Sequence, residues 1–464
     1  MGGNTSVADV AVIGAGVVGC AMARRFALEG ARVAVIEAAP DILSGASKAN
    51  SAILHTGFDA PPGSLELACM QEAYDEYMQI REAMNLPVLE TGAMVAAWTE
   101  DEEARLPTLL AQAQENGVTD TAIIPREAVL AREPNLSDRV RAALLVPREH
   151  LIDPWSAPLA YATQAQMLGA EFHFNAALRA ARHDGDTWHL DTAAGPVAAR
   201  TVVNCAGLYG DRVEAMFTGE ESFEIRPRKG QFVVFDKAAS AFLKTILLPV
   251  PNDRTKGVVL TRTIYGNLLV GPTAEEQEAR DRPDVTRPEL EALIAKAVDL
   301  VPALEGMPVT AVYAGLRPAS DRKEYRVHAR AELGYYCAGG IRSTGLTGAL
   351  GIARHVFRLW QQQNAASAVP VETPPQPQMP TLAEHLPRDW QRPGHDGIVC
   401  HCEMVTEREI RAALDSPLPP GDFGGLRRRT RCAMGRCQGF NCLARIASLS
   451  EGRLRAPILP EDAE

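Results

Sequence analysis

Nowhere in the 464 residues is there an apolar run of the roughly eighteen residues that a membrane-spanning helix needs. The N-terminus also lacks the basic-then-apolar form of an export signal. These absences set the expectation of a cytoplasmic protein with no direct membrane span. Positive charge is short as well: 47 Lys and Arg stand against 58 Asp and Glu, and a net charge of −11 argues against nucleic-acid or acidic-membrane binding, both of which need a basic face. The opening MGGNTS has the form of a myristoylation site, but the first strand begins almost at once and the match is read as coincidence. An odd cysteine count without an export signal argues against a disulfide framework. Cys20, Cys69, Cys205 and Cys337 lie singly among apolar neighbours, whereas Cys400, Cys402, Cys432, Cys437 and Cys442 crowd the C-terminal end in the manner of a metal site. With 46% hydrophobic and 23% charged residues, the chain is long enough for two or three packed domains and points to small-molecule chemistry.

What is present begins at residue 7, with VADVAVIGAGVVGCAMARRFALEGARVAVIE. The β-branched run Val10 to Ile13 reads as a buried parallel strand leading into Gly14, Gly16 and Gly19. Gly14 suits the tight turn, Gly16 the approach of a pyrophosphate, and Gly19 the close packing of a helix over Cys20 to Glu29. The N-terminus of that helix offers unpaired N–H groups to phosphate. A second strand, Arg32 to Ile36, ends in Glu37, whose carboxylate suits a ribose diol rather than a 2′-phosphate. Strand, glycines, helix, strand and acid in register predict a dinucleotide site. No second glycine fingerprint follows.

The next passage, SKANSAILHTGFDAPPGSL, brings Ser47, Asn50, Ser51 and His55 close behind that acid. Together with the N-terminal fingerprint it resembles the FAD-dependent D-amino-acid-oxidase-like superfamily, and within it the FAD subunits of anaerobic glycerol-3-phosphate dehydrogenase and the L-2-hydroxyglutarate oxidases. The resemblance implies that the dinucleotide is FAD. It also implies cofactor contacts from Ser47, Asn50 and Ser51, and from Ala206 and Gly207 in VVNCAGLYGD, where a buried strand, Thr201 to Cys205, ends in a glycine turn. A third such element is YYCAGGIRSTGLTGALGIARHVFRLW: a strand, then Gly340, then a helix from about Leu346. In the family the start of this helix, here Thr344, Gly345, Leu346 and Thr347, points at the flavin, where its positive end favours negative charge. Read without the family, the same residues are a strand, a loop and a capped helix.

Helical periodicity over Leu65 to Met84 and Glu100 to Asn116 flanks a strand at Ala93 to Trp98, and IDPWSAPLAYATQAQMLGAEF gives a loop, an amphipathic helix and a strand. Alternating strands such as Gln231 to Phe235 and Asn267 to Val270 suggest an antiparallel sheet. The order of RPRKGQFVVFD, KGVVLTRTIYGNLLVGPTA and AGLRPAS follows the family, except that Thr261-Arg262-Thr263 replaces an expected apolar, proline-containing triplet, so that Arg262 could add charge to the substrate pocket. Arg317 resembles the family arginine that grips an anionic substrate, a role that suits a guanidinium fork; the alternative is a surface arginine. Lys229, Lys256 and Arg342 are further candidates for the pocket. His55 is the candidate general base, since an imidazole titrates near working pH; the alternative is a histidine that only hydrogen-bonds the flavin or its loop.

From Gln361 to Gly397 the composition turns proline-rich (VPVETPPQPQMP), which reads as a semi-rigid linker. Beyond it stand Cys400, His401 and Cys402 and, after 34 residues, Cys437 and then Cys442. Four thiolates gathered by a small helical domain are what a [2Fe–2S] cluster needs; zinc is the alternative, with His401 as a possible ligand. The spacing and the closing TRCAMGRCQGFNC resemble the bacterioferritin-associated-ferredoxin-like [2Fe–2S] domain in the version fused to glycerol-3-phosphate dehydrogenases, which implies Cys400, Cys402, Cys437 and Cys442 as ligands and Cys432 as a fifth, non-ligating thiol. LRRRTR (426–431) reads either as charge neutralising the cluster or docking an acidic redox partner, or as a solvated helix face.

The expected fold is α/β. A Rossmann-like FAD domain is assembled from 1–85, 145–215 and 320–362, a mixed or antiparallel-sheet substrate domain from 86–144 and 216–319, a linker from 363–396, and a helical iron–sulfur domain from 397–464. FAD plus an iron–sulfur cluster implies hydride in and single electrons out, hence a dehydrogenase. The expected substrate is a small anionic alcohol, glycerol-3-phosphate-like or 2-hydroxyacid-like, with an external one-electron acceptor or a partner redox subunit. The other readings are an amine or imino-acid dehydrogenase of hydroxyproline or opine type, and a non-enzymatic electron-transfer protein.

Overall fold

The computed structural model describes residues 7–251, 257–364 and 369–458; Lys256 and the MGGNTS opening lie outside them. Its first sheet is built on a parallel core. Ala8–Ile13 pairs with Val33–Ile36 on one side and with Gly195–Asn204 on the other; Glu171–His173 extends one edge and Tyr335–Gly339 pairs with residues 202–204. A hairpin, Leu178–His183 with Trp188–Thr192, adds antiparallel strands to the first half of Gly195–Asn204. Alternation decides which face each residue buries: Val10 and Val12 face the helical layer, Ala11 and Ile13 the opposite core.

The helical layer is tightly set. Val17–Leu28 begins three residues earlier than its glycine spacing suggested, because Gly16 is already its N-cap. Its Phe26 meets Phe357 and Trp360 edge-on, each at 5.4 Å, and so locks it to the helix Gly345–Gln361. The latter crosses Leu65–Ile80 so closely that a Cβ on Gly351 would lie 2.1 Å from the Cys69 carbonyl oxygen. Ser156–Met167, expected to be amphipathic, is buried nearly all round, since it is covered on its outer side as well.

That cover is the proline-rich segment. Instead of a spacer, residues 369–393 form a strap laid along the body. Val371 N–H donates to Leu28 O, Gln164 donates to Pro375 O, Met379 N–H donates to Met84 O, and Leu382 and Ala383 pack with Ile264 and Tyr265 in a small buried cluster. Prolines fix an extended path there, and the backbone groups they leave find partners on the body.

Among the described residues the second sheet has nine strands, antiparallel except where Ile246–Pro249 runs parallel to Ala93–Ala97. Its longest ladder joins Arg228–Phe235 to Val309–Arg317 and ends with Arg317 opposite Arg228. A third, three-stranded sheet is formed by Ile53–Leu54, His150–Ile152 and Val88–Leu89. The C-terminal module is a hairpin, Ile398–Cys400 with Val405–Thr406, followed by the helices Glu407–Leu414, Phe423–Thr430 and Leu443–Ser450 around a core of Val405, Ile410, Leu426 and Ile446. Among the described residues, no helix is long and apolar enough to cross a membrane.

Candidate functional site

A cleft of about 800 Å³ opens where the strands of the first sheet end, between them and the second sheet. This is where an open parallel sheet can hold a ligand between diverging connections. Gly14 takes φ +100°, and a Cβ there would sit 2.7 Å from the Cys205 carbonyl oxygen. A Cβ on Gly19 would lie 1.9 Å from the Gly14 carbonyl oxygen, so Gly19 is the packing glycine and stays off the wall, whereas Gly16 lines it. Ser47 Oγ accepts the Val17 N–H at 3.0 Å and so ties the loop 44–51 to the helix start. The Glu37 carboxylate, on the wall, accepts the N–H groups of Ala15 at 2.6 Å and Ala39 at 2.9 Å. Burial raises its carboxyl above the ordinary value, against the pull of those N–H groups.

Asn50, Ser51, Ala206, Gly207, Gly340, Gly345 and Leu346 also line the cleft. Thr344 and Thr347 turn their hydroxyls away from it. Thr344 Oγ1 bonds Tyr325 and Glu66, and Thr347 Oγ1 accepts the His55 N–H and donates to Ile53 O. The backbone turn that lets the helix begin here demands those anchors, and a sequence motif does not reveal them.

Arg317 lines the cleft, and its guanidinium donates only to the Thr273 carbonyl, with no ion pair among the described residues. Burial, reinforced by the charges of Arg228 and Arg342, pulls its pKa down to about 10. Lys229 is engaged by Glu275 at 3.0 Å, Arg342 lines the cleft with a bond to Lys323 O, and the buried Nε of Arg262 has no hydrogen-bond partner among the described residues. His55 is half-buried behind the wall, its backbone N–H held by Thr347 Oγ1 next to the lining Leu346. Its Nδ1 is 2.7 Å from Glu149 Oε2, and Glu149 Oε1 accepts the N–H and O–H of Thr56.

In the C-terminal module the thiols of Cys400 and Cys442 contact each other, as do those of Cys402 and Cys437. The first pair is buried and the second half-exposed. N–H groups of Asn441, Gly439 and Phe440 hold the Cys437 thiol below its ordinary value, with the Cys402 thiol assisting. Burial pushes Cys432 up to about 12. Met404, Ala433 and Gln438 take positive φ beside the cysteines, a local backbone strain in these loops. Four thiolates on one zinc, at about 2.3 Å each, would bring all sulfurs within about 4 Å of one another. Among the described residues, only Glu214, His328 and Cys337 bring three ligand atoms within 4.8 Å, so the four cysteines form two pairs and not a single quartet. His401 is exposed. Two pairs fit two irons.

LRRRTR follows neither of its expected readings as a whole. Arg428, Arg429 and Arg431 are buried between the module and the body: Arg429 on Asp41, Arg428 on Ile42 O, and Arg431 paired with Glu403 and lying 3.9 Å over the Tyr265 ring. Only Arg427, donating to Ala433 O, leaves its charge near Cys432 and Cys442.

The profile of FAD dependent oxidoreductases matches residues 9–359. The chain belongs to that family. A second match, to the BFD-like [2Fe-2S] binding domain, covers residues 398–450. The chain is 31% identical to a glycerol 3-phosphate dehydrogenase of Caloramator mitchellensis, across 95% of this chain and 93% of that one. It is 25% identical to one of the subunits of the anaerobic glycerol-3-phosphate dehydrogenase of Escherichia coli K12, across 96% and 88%. Among solved structures it resembles the dithionite-reduced L-alpha-glycerophosphate oxidase of Mycoplasma pneumoniae with FAD bound, with a TM-score of 0.74 and 24% identity over 81% of this chain and all of that one.

The oxidoreductase thus carries FAD and a [2Fe–2S] cluster, and its own geometry suits both: a glycine cradle that a Cβ would fill, a carboxylate at the second strand's end, and paired thiols. Two features of the family member escape its motifs. Glu149 meets His55 only because two-residue strands, too short for periodicity to register, pair Ile53 with Leu151 and Leu54 with His150. Asp41 meets Arg429 across 388 residues of chain.

Proposed function

We propose that this FAD and [2Fe–2S] oxidoreductase is a dehydrogenase of a small anionic alcohol of the glycerol-3-phosphate class. The observation that carries the reading is Arg317: a partly buried guanidinium on the cleft wall, without an ion pair among the described residues and pressed by Arg228 and Arg342, is a built receptor for an anion. The names of the Caloramator and Escherichia relatives support the substrate class.

When bound, FAD supplies the two-electron acceptor for hydride and the cluster a one-electron carrier. Gly14, Gly16, Glu37 and the loop 44–51 would hold the dinucleotide, and Cys400, Cys402, Cys437 and Cys442 the irons. Arg317 binds and orients the anionic end of the substrate. His55 takes the hydroxyl proton as hydride leaves the carbon, since an alcohol is too weak an acid to shed it beforehand. Electrons leave to an external one-electron acceptor or a partner redox subunit. The Escherichia relative, itself named as one subunit of its enzyme, supports that reading.

Anaerobic titration of the purified holoenzyme with glycerol 3-phosphate, 2-hydroxy acids and amino acids tests this. Flavin bleaching by glycerol 3-phosphate is the expected result. Bleaching by an imino acid or amine alone would replace the alcohol reading with the amine one.

A further inference from the structure

Glu149 has no solvent exposure and, among the described residues, pairs with no Lys or Arg. Its Oε1 accepts from Thr56 N–H at 2.6 Å and Thr56 O–H at 2.8 Å, and its Oε2 lies 2.7 Å from His55 Nδ1. We infer that Glu149 is a positioning residue that fixes the tautomer and orientation of His55 for proton removal from the substrate hydroxyl. The inference rests on the base role proposed above.

A neutral imidazole carries its proton on one nitrogen and its lone pair on the other. Glu149 Oε1 is committed to Thr56, so Oε2 faces the ring as an acceptor. The ring proton is therefore held on Nδ1 and the lone pair on Nε2. Orientation is fixed from the backbone as well. The antiparallel register that pairs Ile53 with Leu151 and Leu54 with His150 sets residue 55 opposite 149, and Thr347 Oγ1, in the first turn of Gly345–Gln361, accepts the His55 N–H at 3.1 Å.

Charge gives the arrangement its direction. The neutral ring is the form that can accept a proton, and it does so facing the Glu149 carboxyl group. As the substrate O–H breaks and its proton passes to Nε2, the C–H bond gives its electron pair away as hydride to the FAD, the carbonyl forms, and the ring becomes a cation 2.7 Å from a buried anion. That attraction strengthens only as the proton moves, which is when it lowers the barrier.

Glu149→Gln separates this role from simple packing. An amide has one acceptor oxygen; if that oxygen stays on Thr56, the NH₂ group faces Nδ1, drives the ring proton to Nε2 and leaves no lone pair there to accept. With the alcohol that bleaches the flavin in the titration above, the limiting single-turnover rate of flavin reduction should fall by about 10²- to 10⁴-fold, while FAD content and the substrate concentration for half-saturation stay near wild type. In a His55→Ala background the same change should cost nothing further; an equal loss in both backgrounds would show an independent role and overturn the inference, as would an unchanged rate in FAD-loaded Glu149→Gln. A full rate in His55→Ala alone would instead remove the base role itself. Should Glu149→Gln fail to load FAD, ¹⁵N NMR of histidine-labelled wild-type holoenzyme reads the tautomer directly. A proton on Nδ1 of His55 supports the inference, and a proton on Nε2 of the neutral ring overturns it.

Discussion

Arg429 grips Asp41 with two parallel hydrogen bonds, 2.6 Å from Nη1 to Oδ2 and 2.9 Å from Nη2 to Oδ1, and both side chains are buried. The pair fastens the iron–sulfur module to the loop that follows Glu37. It forms because glycines let the surfaces meet: a Cβ on Gly425 would lie 1.5 Å from Asp41 Oδ2, and one on Gly421 would lie 1.6 Å from the Pro40 carbonyl oxygen. The docking ties the module directly to the loop that lines the flavin cleft.

Asp41→Ala removes the acceptor and leaves a guanidinium buried without its partner, which costs about 3–5 kcal/mol. The unfolding free energy extrapolated from urea titrations, followed by loss of the cluster's absorbance, should fall by that amount. A shift of less than about 1 kcal/mol, the worth of an exposed pair, would mean that the fork does not hold the module.

A second buried carboxylate makes a pH prediction. Glu76 is buried, but Arg24, Arg25 and Arg354 surround it and hold its carboxyl below the ordinary 4.5. A carboxyl whose pKa is lower in the folded state stabilises above its unfolded value and loses that contribution as pH falls through its folded value. Glu76→Gln should therefore lower the thermal midpoint at pH 7, and the gap from wild type should close only below about pH 4.5. A gap that is the same at pH 3.5 and pH 7 would mean that the charge contributes nothing.

Changing Cys400, Cys402, Cys437 or Cys442 to Ser should abolish the [2Fe–2S] signal in EPR of the reduced protein. Cys432→Ser should keep it, because that thiol is held protonated by burial and belongs to neither sulfur pair. Loss of the signal in Cys432→Ser together with its survival in Cys442→Ser would reverse the ligand assignment.

How much of each site is legible in the sequence depends on how local its physics is. Gly14, Gly16, Gly19 and Glu37 announce themselves because strand, turn and helix are contiguous in sequence, and the cysteine spacing does the same for the cluster. The strap at 369–393 reads as a spacer because proline content reports stiffness and says nothing of what lies alongside. LRRRTR reads as a charged surface because a buried arginine is recognised only by its partner, and Asp41 is far away in the chain. Glu149 is invisible for a related reason: its contact with His55 exists only in the register of strands two and three residues long.

Arg317 carries the last prediction, and it has two halves of opposite sign. Its guanidinium is partly buried, donates among the described residues only to Thr273 O and feels repulsion from Arg228 and Arg342; burial and that repulsion bring its pKa to about 10. Such a group costs stability, because its charged form is better solvated in the unfolded chain. Arg317→Met keeps much of the side-chain volume and removes the charge, so the unliganded variant should be as stable as wild type or more so, as read by thermal denaturation. Binding should suffer instead. A hydrogen bond to a charged group is worth about 1.5–3 kcal/mol, which is a rise of roughly 10- to 150-fold in the substrate concentration for half-maximal flavin reduction. The limiting rate should change far less if Arg317 binds, as proposed, the end of the substrate remote from the carbon that gives up hydride. Stopped-flow reduction over a range of glycerol 3-phosphate concentrations measures both quantities at once. A variant that binds glycerol 3-phosphate as tightly as wild type would take Arg317 out of the anion site, and one that is less stable without substrate would contradict the strained, receptor-like state from which the role is argued.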